Sequence, residues 1–564
     1  MAIAKLLVAN RGEIALRVFR TCRELGISTV AVVASDDRGA LHARSADETF
    51  EIASYLHSEE QVRAAQATGA DAIHPGYGFL AESADFAQAV EAAGLTWIGP
   101  SPEALRLGAD KLAAKRTARD AGVPVLPDGS PEEIGYPLVL KAARGGGGRG
   151  MRIVRDPAEL DAAREAAARE AKGAFGDGTL YAERYLERPR HVEVQLLADS
   201  YGDVTHLFDR ECSIQRRHQK VLEESPAPVL PDALRATMIE AAKAFGTAVG
   251  YRGAGTVEFV VDGDDFFFLE LNGRIQVEHP VTELVTGTDL VAWQLRIAEG
   301  ERVDSYVPTR TGHAVEVRLY AEDPRTFLPQ TGRIERLRLS SGVRVDAGVE
   351  EGDEIGLSYD PLIAKLIAHD ADRESALDRL AAALAETEVE GVTTNLPFLR
   401  WLVEHPAVRA GRTTTAFLTE NPPLSQPPRF RATGPWTQPW RLNLPSPRPA
   451  APPELDAAQS AGAGDGEATV VSPMPGTVIR VEVAAGDAVQ ARQALVVLEA
   501  MKMEIPVHSP FAGTVESVHV EPGQRVAGGA VLVELGAGLH GHHEDDREQD
   551  QQQHAGEPDE VAHP

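Results

Sequence analysis

An apolar run at residues 3–9, apolar Leu16, Val18, Phe19 and Leu25 at helical spacing, and a second apolar run at 29–33 describe a strand, a helix and a strand. That βαβ opening predicts a parallel sheet. The first turn, Asn10-Arg11-Gly12-Glu13, lacks the GxGxxG fingerprint, which excludes a dinucleotide pyrophosphate site there. The loop His74-Pro75-Gly76-Tyr77-Gly78-Phe79 reads equally as a binding loop or as a turn with its aromatic packed down. Residues 136–142 have strand character, and so does Met151-Arg152-Ile153-Val154. Between them lies Arg144-Gly145-Gly146-Gly147-Gly148-Arg149-Gly150, whose glycines let backbone N–H groups close around phosphate oxygens. No Gly-Lys-Ser/Thr ends this run, so it is not a Walker A loop. A glycine loop joining two strands predicts a hairpin lid over a nucleotide.

Further along, Thr256-Val257-Glu258-Phe259-Val260 and Phe266-Phe267-Phe268-Leu269-Glu270-Leu271-Asn272 place carboxylates inside apolar strands. A carboxylate buried there is costly unless it is paired or bound to a metal. Two of them on neighbouring strands, with an Asn amide oxygen, suit hard Mg²⁺ (or Mn²⁺) with nucleotide phosphates; salt bridges to nearby arginines are the alternative. The formal net charge of −29 argues against a nucleic-acid or anionic-membrane surface. An acidic protein that handles phosphates must therefore concentrate its cations. The segment Arg210-Glu211-Cys212-Ser213-Ile214-Gln215-Arg216-Arg217-His218-Gln219-Lys220 does so, unless it is simply a solvated face. Two cysteines, Cys22 and Cys212, rule out a disulfide framework or cysteine zinc site. The interrupted N-terminal apolar run leaves no signal-peptide core, and no run of eighteen apolar residues occurs, so the cytoplasm is expected.

Near the other end, one pattern occurs twice. Gly476-Thr477-Val478, Val481, Val483, Gly486, Val489 and Leu495 are matched at a constant interval by Gly513-Thr514-Val515, Val518, Val520, Gly523, Val526 and Leu532. Period-two alternation broken by glycine turns predicts two interlocked four-stranded halves. Glu499-Ala500-Met501-Lys502-Met503-Glu504 lies in the joint. This segment resembles the biotinyl (biotin carboxyl carrier) domain, whose motif is Ala-Met-Lys-Met. The flanking methionines favour biotin over lipoic acid, and the resemblance implies covalent biotin on Lys502.

The first 440 or so residues, through Gly273-Arg274-Ile275-Gln276-Val277-Glu278-His279-Pro280, resemble biotin carboxylase, an ATP-grasp enzyme. The likeness implies an α/β fold: an N-terminal domain (1–112), an ATP-grasp domain with lid (113–310) and a C-terminal α+β domain (311–440). It further implies that Lys111, Lys141, His191, Gln215 and His218 contact ATP. Gly145, Gly146, Gly147 and Gly148 would close over its phosphates, and Glu183 and Leu186 would line the adenine pocket. Glu258, Glu270 and Asn272 would hold the metal, with Glu258 also on the nucleotide. Lys220, Arg274, Gln276 and Val277 would bind bicarbonate, with Glu278 the base; Arg318 would stabilise the biotin enolate. Two departures from the family pattern are Gly273, where Thr is usual, and Arg144, where a small residue is usual.

A Pro/Ala-rich stretch (441–467) reads as a linker, its roughly twenty residues from Pro445 to Gly466 able to span ~60 Å when extended, ahead of the all-β carrier domain (468–537). Residues 538–564, acidic and Gln-rich, read as a disordered tail. No stretch remains for a carboxyltransferase domain. The expected protein is therefore the α subunit of an actinobacterial-type acyl-CoA carboxylase, for acetyl- or propionyl-CoA. It would act in a hetero-oligomer with a carboxyltransferase β subunit and be modified by a biotin protein ligase. Pyruvate carboxylase is disfavoured on length, and mitochondrial-type α chains by the shortness of the linker. An inactive carrier scaffold and an ATP-grasp ligase fused to a lipoyl-type domain are the alternatives.

Overall fold

The computed structural model describes residues 2–143, 151–216, 219–356, 358–422, 467–473, 476–500, 503–526 and 529–537. The glycine run 144–150, Arg217, His218, Met501, Lys502, the linker as far as residue 466 and the tail lie outside the described residues, and with them the expectations placed there. The chain divides into two compact units, one of residues 1–356 and 360–434 and one containing residues 435–564.

In the first unit, the expected βαβ opening is strand Lys5–Val8, helix Gly12–Leu25 and strand Ser28–Ala34. The five-stranded sheet runs Glu48–Ile52, Ser28–Ala34, Lys5–Val8, Ala72–His74, Thr96–Trp97, all parallel. Leu6, Val8, Ile14, Val18, Phe19 and Cys22 pack together in its core. The helix ends at Gly26, whose φ of 73° is left-handed, a conformation glycine enters without a Cβ clash.

Strand Leu138–Ala142 pairs antiparallel with Arg152–Val154, in the register Leu138↔Val154 and Leu140↔Arg152, as the two arms of the expected lid require. Beyond it lies an antiparallel eight-stranded sheet. Its order is Asp265–Asn272, Gly253–Asp262, Arg190–Ala198, Val204–Arg216, Gln219–Ser225, His313–Tyr320, Leu362–Asp370, Arg344–Ala347. Strand Gln219–Ser225 bonds to His313–Tyr320, so one hydrogen-bonded sheet runs across residue 310.

His42 and His74 are buried in the N-terminal part of this unit. The Gly76 N–H donates to His74 Nδ1 at 3.0 Å, while Nε2 faces Gln294 Oε1 at 3.1 Å, a neutral ring with its proton on Nε2. Burial lowers both imidazoles from 6.5 to about 4. The unfolded chain therefore binds the protons first, so this contribution is complete above about pH 6.5 and lost as pH falls toward 4. Thermal melts from pH 7 to 4 are expected to show a falling Tm, with a smaller fall in His74→Gln.

The second unit is two antiparallel four-stranded sheets. One runs Glu467–Val471, Val531–Ala537, Gly513–Val518, Ala488–Val489; the other Met503–His508, Ala494–Ala500, Gly476–Val481, Arg525–Val526. Each repeat thus contributes to both sheets, which is the predicted interlock. Its buried residues fall in matched pairs: Val478 with Val515, Val483 with Val520, Val489 with Val526, Leu495 with Leu532. Gly486 and Gly523 share positive φ, 93° and 88°, at equivalent turns. The last described pair of the hairpin between the repeats is Ala500↔Met503, on either side of Met501-Lys502.

Candidate active site

Four residues stand in one row across the large sheet: Glu270 opposite Glu258, Glu258 opposite Glu193, and Glu193 opposite Arg210. Like charges in direct register repel, so the row persists only because cations meet it. Lys220 Nζ lies 2.6 Å from Glu193, 2.8 Å from Glu258 and 2.7 Å from Glu278. Arg210, fully buried, bonds to Glu193 Oε1 at 2.5 Å and to Gln195, Thr256 and Thr282. His191 Nε2 approaches Glu258 Oε2 to 2.9 Å, and Gln215 Nε2 approaches His191 Nδ1 to 2.7 Å. Glu278 completes the chain by accepting from Arg318 Nη2 at 3.0 Å.

The ionisation of these groups follows from that geometry. Burial alone would push Lys220 down, but three carboxylates hold it well above the ordinary lysine value. Burial would raise Glu258 and Glu278; Lys220, with His191 on one and Arg318 on the other, outweighs it and keeps both well below the usual carboxylate range. Glu270 is the exception. Burial and the charge of Glu258 raise it, with Lys111 opposing.

Glu270, Lys111, Asn272, Arg274 and Glu82 line a cavity of about 250 Å³ together with Gly273. Two carboxylates in register, one of them destabilised by the other's charge, fit a hard divalent cation. Asn272 is turned elsewhere: its amide donates to Glu258 Oε1 at 2.8 Å and its oxygen accepts from Arg274 at 3.1 Å. Arg274 also bonds Gln276 Oε1 at 2.9 Å and lies 3.2 Å from Glu82. It is therefore held from three sides despite Gly273. A Cβ at Gly273 would sit 2.9 Å from Leu105, so the glycine matches a close approach of the neighbouring helix. The Val277 carbonyl accepts from Lys365 Nζ at 2.9 Å, and the same ammonium lies 3.2 Å from Glu13.

One expectation needs correction. The cationic segment does not present all its charges to one ligand, because the strand's register is irregular between Glu211 and Gln215 and its regular alternation is broken there. Arg210 and Lys220 both meet the carboxylate row, at Glu193, and Lys220 also reaches Glu258 and Glu278, whereas Arg216 pairs with Glu322. The alternative of salt bridges to arginines does not hold for Glu258, which lysine and histidine meet. Glu183 and Lys141, expected on the nucleotide, pair with each other, and Lys115 lies 2.6 Å from Glu183 on its other oxygen. Leu186 follows that strand and is half-buried. Sequence reasoning missed Glu193, Lys115, Glu223 and Lys365. Glu193, a carboxylate within His191-Val192-Glu193-Val194, carried the same signal as Glu258 and Glu270.

Four family profiles match the chain: biotin carboxylase, N-terminal domain (residues 2–105); carbamoyl-phosphate synthase L chain, ATP binding domain (128–306); biotin carboxylase C-terminal domain (316–420); and biotin-requiring enzyme (468–535). The biotin-dependent acyl-coenzyme A carboxylase alpha3 subunit of Mycobacterium leprae is 42% identical over 94% of this chain and 98% of its own. The mitochondrial methylcrotonoyl-CoA carboxylase subunit alpha of rice is 49% identical over 74% of this chain but only 60% of its own, so the chain spans about 60% of that relative. Among solved structures, the biotin carboxylase domain of Hydrogenobacter thermophilus 2-oxoglutarate carboxylase, a dimer with MgADP, ADP and bicarbonate, superposes with TM-score 0.73 at 44% identity. That superposition covers 75% of this chain and 98% of the other. Among the described residues no helix is long and apolar enough to cross a membrane. The chain belongs to the biotin carboxylase family, in the form that carries a biotinyl domain on the same polypeptide, the α-subunit type of the biotin-dependent acyl-CoA carboxylases.

Proposed function

We propose that the chain carboxylates biotin, using ATP and bicarbonate, with the biotin held on its own Lys502 and the carboxyl group passed to an acyl-CoA by a separate carboxyltransferase subunit. The observation that carries this reading is Lys220 gathered on Glu193, Glu258 and Glu278, with Arg318 on the far side of Glu278.

Bicarbonate is a poor electrophile, and ATP activates it. Glu278 is held ionised and takes the bicarbonate proton. An anion arriving beside Lys220 draws that cation from Glu278 and raises its basicity. The freed oxygen attacks the γ-phosphorus, the bond to the β-phosphate breaks, and ADP leaves. Lys220 and Arg274 offset the charge on the transferred group, and positioning does the rest. The carboxyphosphate breaks down to CO₂ and phosphate. Mg²⁺ on Glu258 and Glu270 would neutralise phosphate oxygens, and biotin would supply the nitrogen that accepts the carboxyl group, its ureido proton passing to the released phosphate. Arg318 would oppose negative charge on the acceptor. Water must be kept out, which gives the lid hairpin its role.

The proposed acyl-CoA is acetyl- or propionyl-CoA, as the resemblance to the actinobacterial-type α subunit implies; the Mycobacterium leprae relative is named for acyl-coenzyme A. Methylcrotonoyl-CoA is the second reading, on the identity to the rice subunit. The cytoplasm is the proposed compartment. With Mg²⁺, ATP, bicarbonate and free biotin, the purified chain is expected to release ADP in a bicarbonate-dependent, biotin-stimulated manner. No release at all would leave only a carrier scaffold. Co-purifying the partner and assaying the three thioesters identifies the substrate.

A further inference from the structure

Behind the Glu278–Arg318 pair lies a feature the proposed reaction does not use. Glu223, on strand Gln219–Ser225, stands in direct register with Glu316 on strand His313–Tyr320. Both have 0% exposure. Neither oxygen of Glu316 has a hydrogen-bond partner among the described residues. Glu223 forms an ion pair with Arg318 through the same Nη2 that reaches Glu278 at 3.0 Å. The buried guanidinium is therefore held between two carboxylates, with a third beside the first.

We propose that Glu223 is a positioning residue for Arg318, and that a proton carried on the neighbouring Glu316 leaves Glu223 the charge to keep the guanidinium in place while Glu278 takes up and gives up the bicarbonate proton. This rests on the functional reading above. Two carboxylates opposite each other in a dry interior cannot both ionise without large cost, so one proton resides on the pair. When Glu278 accepts the proton from bicarbonate, its ion pair with Arg318 becomes a neutral contact. Glu223 remains as the anionic anchor, and the charge of Arg318 becomes available to the acceptor. The groups facing the pair are Arg318, Glu278 and Lys220 around Glu223, and Lys365, Arg318 and Glu278 around Glu316. Burial raises both carboxyls, Glu223 to about 7, with Arg318 opposing.

The test uses the full-length chain, with Glu223→Gln and Glu316→Gln. Bicarbonate-dependent ADP release without biotin reads the first half-reaction, and carboxylation of free biotin reads the second. Glu223→Gln is expected to slow the second at least ten-fold more than the first. Glu316→Gln mimics the protonated acid, and it should retain at least five times the second-step rate of Glu223→Gln. A ligand-free readout accompanies these. A carboxyl raised in the folded state makes stability fall as pH rises from about 4.5 through 7. That fall should shrink in Glu223→Gln. Equal slowing of both half-reactions by Glu223→Gln, or equal damage from the two variants, overturns the proposal. A wild-type chain with no bicarbonate-dependent ADP release sinks the functional reading instead, while an active wild type with an unimpaired Glu223→Gln sinks the pair alone.

Discussion

Lys220→Met is expected to cut bicarbonate-dependent ADP release by at least ~100-fold, the scale seen when one preorganised charge donor is removed from a transition state. The same substitution should lower the thermal stability of the catalytic unit. Lys220 Nζ is the shared partner of Glu193, Glu258 and Glu278. Stranding buried carboxylates by removing their cation costs ~3–5 kcal/mol when nothing relaxes. Proton uptake supplies the relaxation: without Lys220, burial drives Glu278 upward, and the base is protonated when it should be empty. Residual activity should therefore rise with pH in the variant, where more of Glu278 is ionised. Rates measured from pH 6.5 to 9 check this. A variant within ten-fold of wild type at every pH would remove Lys220 from the mechanism.

Lys502→Arg should abolish biotinylation, and with it partner-dependent carboxylation of any thioester, by more than ~1,000-fold. Attachment forms an amide and needs a primary amine that can lose its proton; a guanidinium stays protonated and delocalised. The loss in the coupled reaction should be near total, because tethering is what concentrates the cofactor at two successive sites. Incubation with a biotin ligase, followed by intact mass and streptavidin capture, reads the modification directly. The hairpin carrying the site should survive, since the core pairs from Val478 with Val515 to Leu495 with Leu532 do not include it. Should the variant still gain the mass of one biotinyl group, the attachment lies on another lysine.

Some of the site was legible because its signal is local. Glu258 and Glu270 break apolar strand patterns, and a carboxylate in such a place needs a partner wherever the strand ends up. Identifying that partner was beyond local reasoning. Lys220 and Glu278 are far apart in sequence, and only the pairing of strand Gln219–Ser225 into the large sheet brings them to 2.7 Å. The cationic segment misled for a related reason. Its charges look like one patch when written in a line, yet the register irregularity between Glu211 and Gln215 lies between Arg210, which goes to Glu193, and Arg216, which goes to Glu322. Glu183 likewise carries no hint in sequence that two lysines, Lys115 and Lys141, converge on it.

By itself the sequence determined the parallel βαβ opening, the two arms of the lid and the duplicated carrier, because each is written in the spacing of apolar residues and glycines along a continuous stretch. The tertiary structure alone decided the charge arrangement: Glu270, Glu258, Glu193 and Arg210 in one row, Lys220 beneath three carboxylates, Glu223 against Glu316 behind Arg318. Strand register sets which carboxylate faces which cation, and register is fixed by pairings between segments distant in the chain.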